Sequence, residues 1–267
     1  MTYRVGLPKL EGVPQDRTRI ARSGSPGHAI SSALPSLTPV AQDYLKTIWS
    51  FCEWSDERVS TKMLAEKIGV SASTVSEAIK KLAEQGLVDH ARYGSIALTE
   101  KGKAVALSMV RRHRLIETYL VRELGYSWDE VHDEAEVLEH AVSERLVSRM
   151  DAKLGHPERD PHGDPIPTAD GALLAPDARP LSMYQNGEGG RVARISDDDP
   201  QMLRYFDSVG ISLDSFIEIV ERRDYAGTVA VRVNQASSTL ELGSIATDAI
   251  WLTAPHHDTT TREATAS

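Results

Sequence analysis

The segment STKMLAEKIGVSASTVSEAIKKLAEQGLV, residues 60–88, decides the architecture of the N-terminal half of the chain. Met63, Leu64 and Ile68 recur at helical spacing and stop at Gly69; Val75, Ile79 and Leu82 restart the period after Ser71 and run to Gly86. Two short helices joined at Gly69-Val70-Ser71 have the layout of a helix-turn-helix. The second helix buries its apolar stripe and presents Ser71, Ser73, Thr74, Ser76 and Glu77 on its early turns, where short polar side chains reach base edges or phosphates. A plain helical hairpin is the alternative for such a segment. Upstream, Thr38 caps a helix with Pro39 at its first position, and Val40, Tyr44, Ile48 and Phe51 supply the apolar spacing. Downstream, Leu87-Val88 and Ile96-Ala97-Leu98 read as a hairpin turning at Tyr93-Gly94-Ser95, the wing of a winged helix, with Arg92 on it. Lys62, Lys67, Lys80, Lys81 and Arg92 are then expected on phosphates, which position without specifying sequence.

Charge distribution agrees with that reading. The chain has 267 residues and a formal net charge of −9, yet residues 58–114 hold eleven Lys or Arg against five Asp or Glu, a local +6. The remainder carries −15, so a basic module sits on an acidic body, which suits polyanion binding by one part only. The single cysteine, Cys52, excludes a disulfide framework and any multi-cysteine zinc or iron–sulfur site; beside Ile48 and Phe51 it reads as a small apolar filler. No apolar run has membrane-spanning length and no secretory signal pattern opens the chain, so a cytoplasmic protein is expected.

The run from His132 to His140, HDEAEVLEH, is the richest in chemistry. On a helix of about 100° per residue, His132, Glu136, Glu139, His140 and Ser143 fall in one arc, while Val131, Ala135, Leu138, Val142 and Leu146 form a separate apolar stripe. Carboxylates this close repel unless a cation joins them. Two readings stand side by side, a solvated acidic face and a metal-ligating ridge. One continuous helix is expected from a capping box at Ser127 and Glu130 through Arg149. His113 and Glu117, four apart, share a face of the long preceding helix that begins near Glu100 and breaks at Gly125.

Residues 155–180 are proline-rich and read as loop and linker. After Gly189 come short strands, RVARI, SFIEIVERR, GTVAVRVN, STLELG and AIWL, at the spacing of a small barrel. The expected fold class is mainly α with small β parts. Its expected units are a disordered extension (1–35), a winged helix (36–106), a helical dimerisation and metal-binding domain (107–170), a linker (171–188), an SH3-like β-barrel (189–252) and a loose tail (253–267).

The order AQDYLKTIW, STVS, RRHRLIE, HDEAEVLEH, GDPIP and a C-terminal strand module resembles the diphtheria toxin repressor family of iron- and manganese-dependent transcriptional regulators, over roughly Leu37 to Leu252. The resemblance implies a primary metal site at Asp43, Glu136, Glu139 and His140 and an ancillary one at His113, Glu117 and His132, with Asp197 and Asp198 as candidates to complete it. Where the iron branch has Met and Cys, this chain has Asp43 and Glu136, so the resemblance is to the manganese branch, with Fe2+ as the alternative and Zn2+ or Co2+ as substitutes in vitro. Lys46 departs from those manganese regulators that carry a second carboxylate on the first helix. The implied protein is a homodimeric repressor on a palindromic DNA operator, with no organic substrate and no enzymatic activity. Two further classes compete: a winged-helix regulator with an organic ligand, and a metallohydrolase, against which stand the absent HExxH pattern, phosphate loop and nucleophile elbow.

Overall fold

The computed structural model describes residues 37–55, 57–90 and 95–253. The extension 1–35, Arg92, the wing turn at Tyr93-Gly94 and the tail after Thr253 lie outside the described residues.

The N-terminal unit holds α1 (Pro39–Glu53), α2 (Thr61–Ile68), α3 (Ala72–Glu84), β1 (Val88–His90) and β2 (Ile96–Leu98). Each helix begins on a hydroxyl cap: Thr38 accepts from the Ala41 N–H, Ser60 from Met63 and Ser71 from Thr74. Gly69 ends α2 in the left-handed region at φ 76°, which permits the tight turn into α3. Tyr44, Leu45 and Ile48 of α1 pack against Leu64 of α2 and Val75, Ile79 and Leu82 of α3 in one core. At about 1.5–3 kcal/mol for each fully buried large apolar side chain, this core makes α1 and the helix-turn-helix move together. The strands pair antiparallel, with Val88 opposite Leu98, as the hairpin reading requires. Cys52, by contrast, is exposed and fills no core position: it lies in the last turn of α1, beyond the buried stretch through Tyr44, Leu45 and Ile48.

The 25-residue α4 (Glu100–Leu124) starts on a Thr99 cap and stops at Gly125 in the left-handed region. Its first half buries Val105, Ala106 and Met109 in the N-terminal core, and its second half buries Ile116 and Leu120 against Val131, Ala135 and Met150. One helix therefore spans both units and carries His113 and Glu117 at the junction.

The expected continuous helix through Arg149 is interrupted. Val131–Leu138 forms α5, and α6 (Glu144–Lys153) restarts on a Ser143 cap; α5 itself begins at Glu130 with no side-chain cap, so the Ser127 capping box does not form. The interruption leaves the Glu139 carbonyl outside a helical ladder, where the buried Arg112 guanidinium donates to it at 2.9 Å. A tertiary hydrogen bond thus replaces the helical one.

In the C-terminal unit β3 (Ala178–Pro180), β4 (Gly189–Ile195), β5 (Phe216–Arg223), β6 (Thr228–Val233), β7 (Leu240–Gly243) and β8 (Ile250–Thr253) form an antiparallel sheet in the order β3-β8-β4-β5-β6-β7. Register shifts at Val192/Arg194 and Ile219/Glu221 bend it. Its end strands β3 and β7 do not pair, so the expected SH3-like barrel is an open one. Tyr184, α7 (Pro200–Ser208, through Leu203 and Phe206) and α8 (Ser244–Ala249, through Ala249) contribute to its core. The expected strands are all present. β3, inside the expected linker, and α7 and α8 were not foreseen.

Candidate metal centre and nucleic-acid interface

Asp43 lies on α1, and Glu139 and His140 lie in the turn that interrupts the α5–α6 run, so two units meet at one cluster. Ligand atoms of Asp43, Glu139 and His140 lie within 4.8 Å of one another, as do those of His113, His132 and Glu136, and those of Glu117, His162 and Asp197. His140 Nδ1 lies 3.1 Å from the Gln42 amide oxygen, and Nε2 lies 2.8 Å from Asp43 Oδ1. Asp43 Oδ1 is buried with no hydrogen-bond partner. Burial raises the Asp43 carboxyl above its ordinary range, against the opposing charges of His140 and Lys46.

Glu139 is fully buried. Its Oε1 accepts from Lys46 Nζ at 2.6 Å and its Oε2 meets His113 Nδ1 at 2.6 Å. Burial opposes its ionisation, but the His113 hydrogen bond and the His113 and Lys46 charges hold its carboxyl below the usual value. Glu136 accepts from the same Lys46 ammonium, also at 2.6 Å. His113 bridges onward to Glu117 through Nε2 at 3.0 Å. Burial works against its charge, yet the carboxylates of Glu117 and Glu139 push its pKa up to about 9.

His132 Nδ1 lies 3.1 Å from Asp197 Oδ2 and 3.6 Å from Glu117 Oε1. Hydrogen bonding to Asp197 and then to Glu117 raises its pKa to about 10. The C-terminal unit therefore reaches the ancillary set through Asp197. Asp198 points elsewhere and pairs with Lys67 of α2 at 2.6 Å.

The ancillary set also contains His162, which sequence reading missed. Its Nε2 donates to the Trp128 carbonyl at 2.7 Å, and its Nδ1, buried and without a hydrogen-bond partner, faces Glu117 and Asp197. The loop that carries it is tied by Asp160 Oδ1, which accepts from the backbone N–H of His162 and Asp164. Gly163 makes the approach to β4 possible. At φ 94° a Cβ there would lie 2.0 Å from the Ala193 carbonyl oxygen. Burial, with Asp164 and Glu117 nearby, lifts Asp160 to about 8.

These donors fit a divalent cation. Two histidines have one ring nitrogen committed to an oxygen acceptor and the other turned toward carboxylates, and two buried polar atoms, Asp43 Oδ1 and His162 Nδ1, lack hydrogen bonds. A crevice of about 250 Å³ is lined by Lys46, His113, Glu117, His132, Glu136 and Asp197 among others. All seven metal residues expected from sequence lie in three neighbouring groups, with Glu136 beside His113 and His132 rather than with Asp43, Glu139 and His140, and Glu117 beside His162 and Asp197; Lys46, Asp160 and His162 are additions.

The residues expected on DNA that the structure describes are exposed, and several are engaged in local hydrogen bonds or ion pairs. Ser71 is occupied as the α3 cap and lies 2.8 Å from the hydroxyls of both Ser73 and Thr74. Ser76 bonds back to the Ala72 carbonyl at 2.9 Å. Glu77 pairs with Lys81 at 3.2 Å and Lys62 with Glu66 at 3.7 Å. Lys80 is exposed and makes no ion pair among the described residues. Arg92 lies outside them.

Comparison with known proteins matches all three units. Residues 36–96 match the model described as "Iron dependent repressor, N-terminal DNA binding domain", residues 99–168 "Iron dependent repressor, metal binding and dimerisation domain", and residues 179–253 the FeoA domain. The iron-dependent repressor IdeR of Mycobacterium tuberculosis is 37% identical over 131 residues, 49% of this chain and 56% of its own length. Thus the match spans little more than half of that relative. IdeR of Mycobacterium leprae is 35% identical over 164 residues, 61% of this chain and 69% of its own. A solved structure titled as a manganese-dependent transcriptional repressor in complex with manganese is 64% identical, with a TM-score of 0.77, covering 80% of this chain and 99% of that one.

Proposed function

The chain belongs to the diphtheria toxin repressor family of metal-dependent DNA-binding regulators, and on that premise we propose that it is a manganese-dependent transcriptional repressor of metal-homeostasis genes. The single observation that carries the reading is the meeting of Asp43, from the unit that holds the recognition helix, with Glu139 and His140 of the neighbouring unit, ligand atoms within 4.8 Å. Carboxylate and imidazole donors without sulfur suit Mn2+ better than softer ions, and the neighbour solved with manganese supports it. Fe2+ is the second reading, supported by the IdeR relatives, and Zn2+ or Co2+ would substitute in vitro.

Asp43, Glu136, Glu139 and His140 would hold the primary ion, and Glu117, His132, His162 and Asp197, with His113 between the clusters, the ancillary one. A bound ion supplies the positive charge that these carboxylates need when brought together. The residues of the chain do the rest. Arg112 fixes the Glu139 backbone, Gln42 orients the His140 ring, and the α1 core transmits the position of Asp43 to α3. Narrowing the range of α3 orientations raises the share of conformers fit for DNA, and coupling of about 1–3 kcal/mol changes affinity about 5- to 150-fold.

The reading includes a homodimer on a palindromic operator with half-sites about one helical turn apart, supported by the matched dimerisation model. It also includes a cytoplasmic location. Among the described residues no helix is long and apolar enough to cross a membrane. The protein acts as a regulator and not as an enzyme, as its relatives do. Retardation of operator DNA titrated with Mn2+, Fe2+ and Zn2+, with a chelator as control, tests it. Mn2+ restores binding that the chelator abolishes; equal binding under all conditions, or after Asp43→Ala, overturns it.

A further inference from the structure

Lys46 lies three residues after Asp43 and so shares its face of α1. Its ammonium lies 2.6 Å from Glu136 Oε1 and 2.6 Å from Glu139 Oε1, and its side chain is only 12% exposed. The ammonium is thus ion-paired with both glutamates at once. A lysine in this place puts a fixed positive charge between the two carboxylates that join the two ligand sets, Glu139 belonging with Asp43 and His140, and Glu136 with His113 and His132.

We propose that Lys46 is a tethered counter-ion that restricts this cluster to one divalent cation. The reasoning is a count of charge and of space. Asp43, Glu136 and Glu139 contribute three negative charges, Lys46 one positive and a single divalent ion two, which makes the set neutral with neutral imidazole ligands. A second divalent ion would leave an uncompensated +2 in a place where Glu139 is fully buried, an expensive state. The same ion, to bridge Glu136 and Glu139 beside His113, would need the position that Nζ fills. The other group touching Glu139, His113 Nδ1 on Oε2, leaves Oε1 to the ammonium, which is also the oxygen 3.6 Å from His140 Nε2. A single divalent ion held by Asp43, Glu139 and His140 would therefore lie close to the Lys46 ammonium, whose charge would weaken its binding by repulsion.

This inference rests on the metal reading above, and the experiment separates the two. Calorimetry and equilibrium dialysis of Mn2+ are done on the full chain carrying His132→Ala, His162→Ala and Asp197→Ala, which removes three of the ancillary donors so that the cluster around Glu139 is counted, with Mn2+ electron paramagnetic resonance as the spectroscopic check. The parent background takes up one ion. Lys46→Glu takes up two, with the spectral broadening of a coupled pair. Lys46→Met still takes up one, bound roughly tenfold more tightly because a like charge has been removed. A single ion in Lys46→Glu, or no gain in affinity in Lys46→Met, overturns the proposal; if the glutamate variant does not fold, the methionine variant alone decides. Absence of any uptake by the parent would instead refute the metal reading on which the proposal stands.

Discussion

The two ends of α1 are fastened to the rest of the molecule in opposite ways. At its C-terminal end, Glu53 is held bidentately by Arg114, Nη1 at 2.9 Å and Nη2 at 2.6 Å, and Trp54 Nε1 donates to Asp164 Oδ1 at 3.0 Å. Arg194 donates to the same Asp164 oxygen at 2.6 Å and lies over the rings of Trp54 and Trp251, 4.8 and 5.9 Å from their centroids. Every acid there faces a guanidinium, a charge that cannot be titrated away and that matches carboxylate geometry. Nearer its N-terminus, Asp43 reaches Glu139 and His140 with one buried oxygen that accepts no hydrogen bond. The same helix is thus pinned permanently where arginines supply the cation and conditionally where a diffusing cation must. Under the function proposed above, a hinge at one end and a latch at the other would let a small ion redirect a whole domain.

The contrast breaks most visibly at Arg114. Arg114→Met leaves Glu53 and Asp160 buried without their guanidinium, while Asp164 keeps that of Arg194, and denaturant unfolding is expected to show a loss of about 3–5 kcal/mol, with or without metal. Adding Glu53→Gln to that variant recovers part of the loss, because the two groups form one pair. If Arg114→Met cost no more than Asp43→Ala, the permanent fastening would be no firmer than the conditional one.

At the latch the effect falls on function. Asp43→Ala is expected to leave metal-free stability within about 1 kcal/mol of the parent, since it removes a carboxylate whose burial is poorly compensated. Its Mn2+-dependent gain in operator affinity, about 5- to 150-fold in the parent, disappears in retardation titrations. Trp54→Phe is a smaller cut at the hinge. It removes one hydrogen bond to Asp164, but Arg194 still serves that carboxylate, so about 1.5 kcal/mol in denaturant unfolding is expected. Metal-dependent DNA binding survives in that variant.

Much of this was legible in local chemistry. Thr38-Pro39, Ser71 and Gly125 are punctuation that the backbone obeys directly, and the 3.6-residue period placed His113 with Glu117 and His132 with Glu136. The break after Leu138 was hidden because Val142 and Leu146 continue the apolar stripe. What ends the helix is Arg112, twenty-seven residues upstream, accepted by the Glu139 carbonyl; only Ser143 followed by Glu144 signalled the restart locally. Asp160 and His162 sit in an irregular loop, where no period exists to reveal which way a side chain faces. Asp199-Pro200, a cap with proline behind it, did announce α7 and is the one missed element with a clear signal.

The smallest expected effect concerns a third fastening, the exposed pair Lys67–Asp198 that ties α2 to the C-terminal unit. Both side chains are more than half exposed, so Lys67→Gln is expected to change stability by less than about 1 kcal/mol. Its DNA behaviour is the sharper measure. Sequence alone put Lys67 with Lys80 on phosphates, but a lysine engaged by Asp198 releases fewer counterions on binding DNA than one that makes no ion pair. Lys80→Gln should therefore lower the slope of log affinity against log salt by about 0.9, the value for one phosphate contact on duplex DNA, while Lys67→Gln leaves it near the parent value. Equal losses in the two variants would mean that the Lys67–Asp198 pair opens on DNA, and that the C-terminal unit lets go of the reading head when it engages.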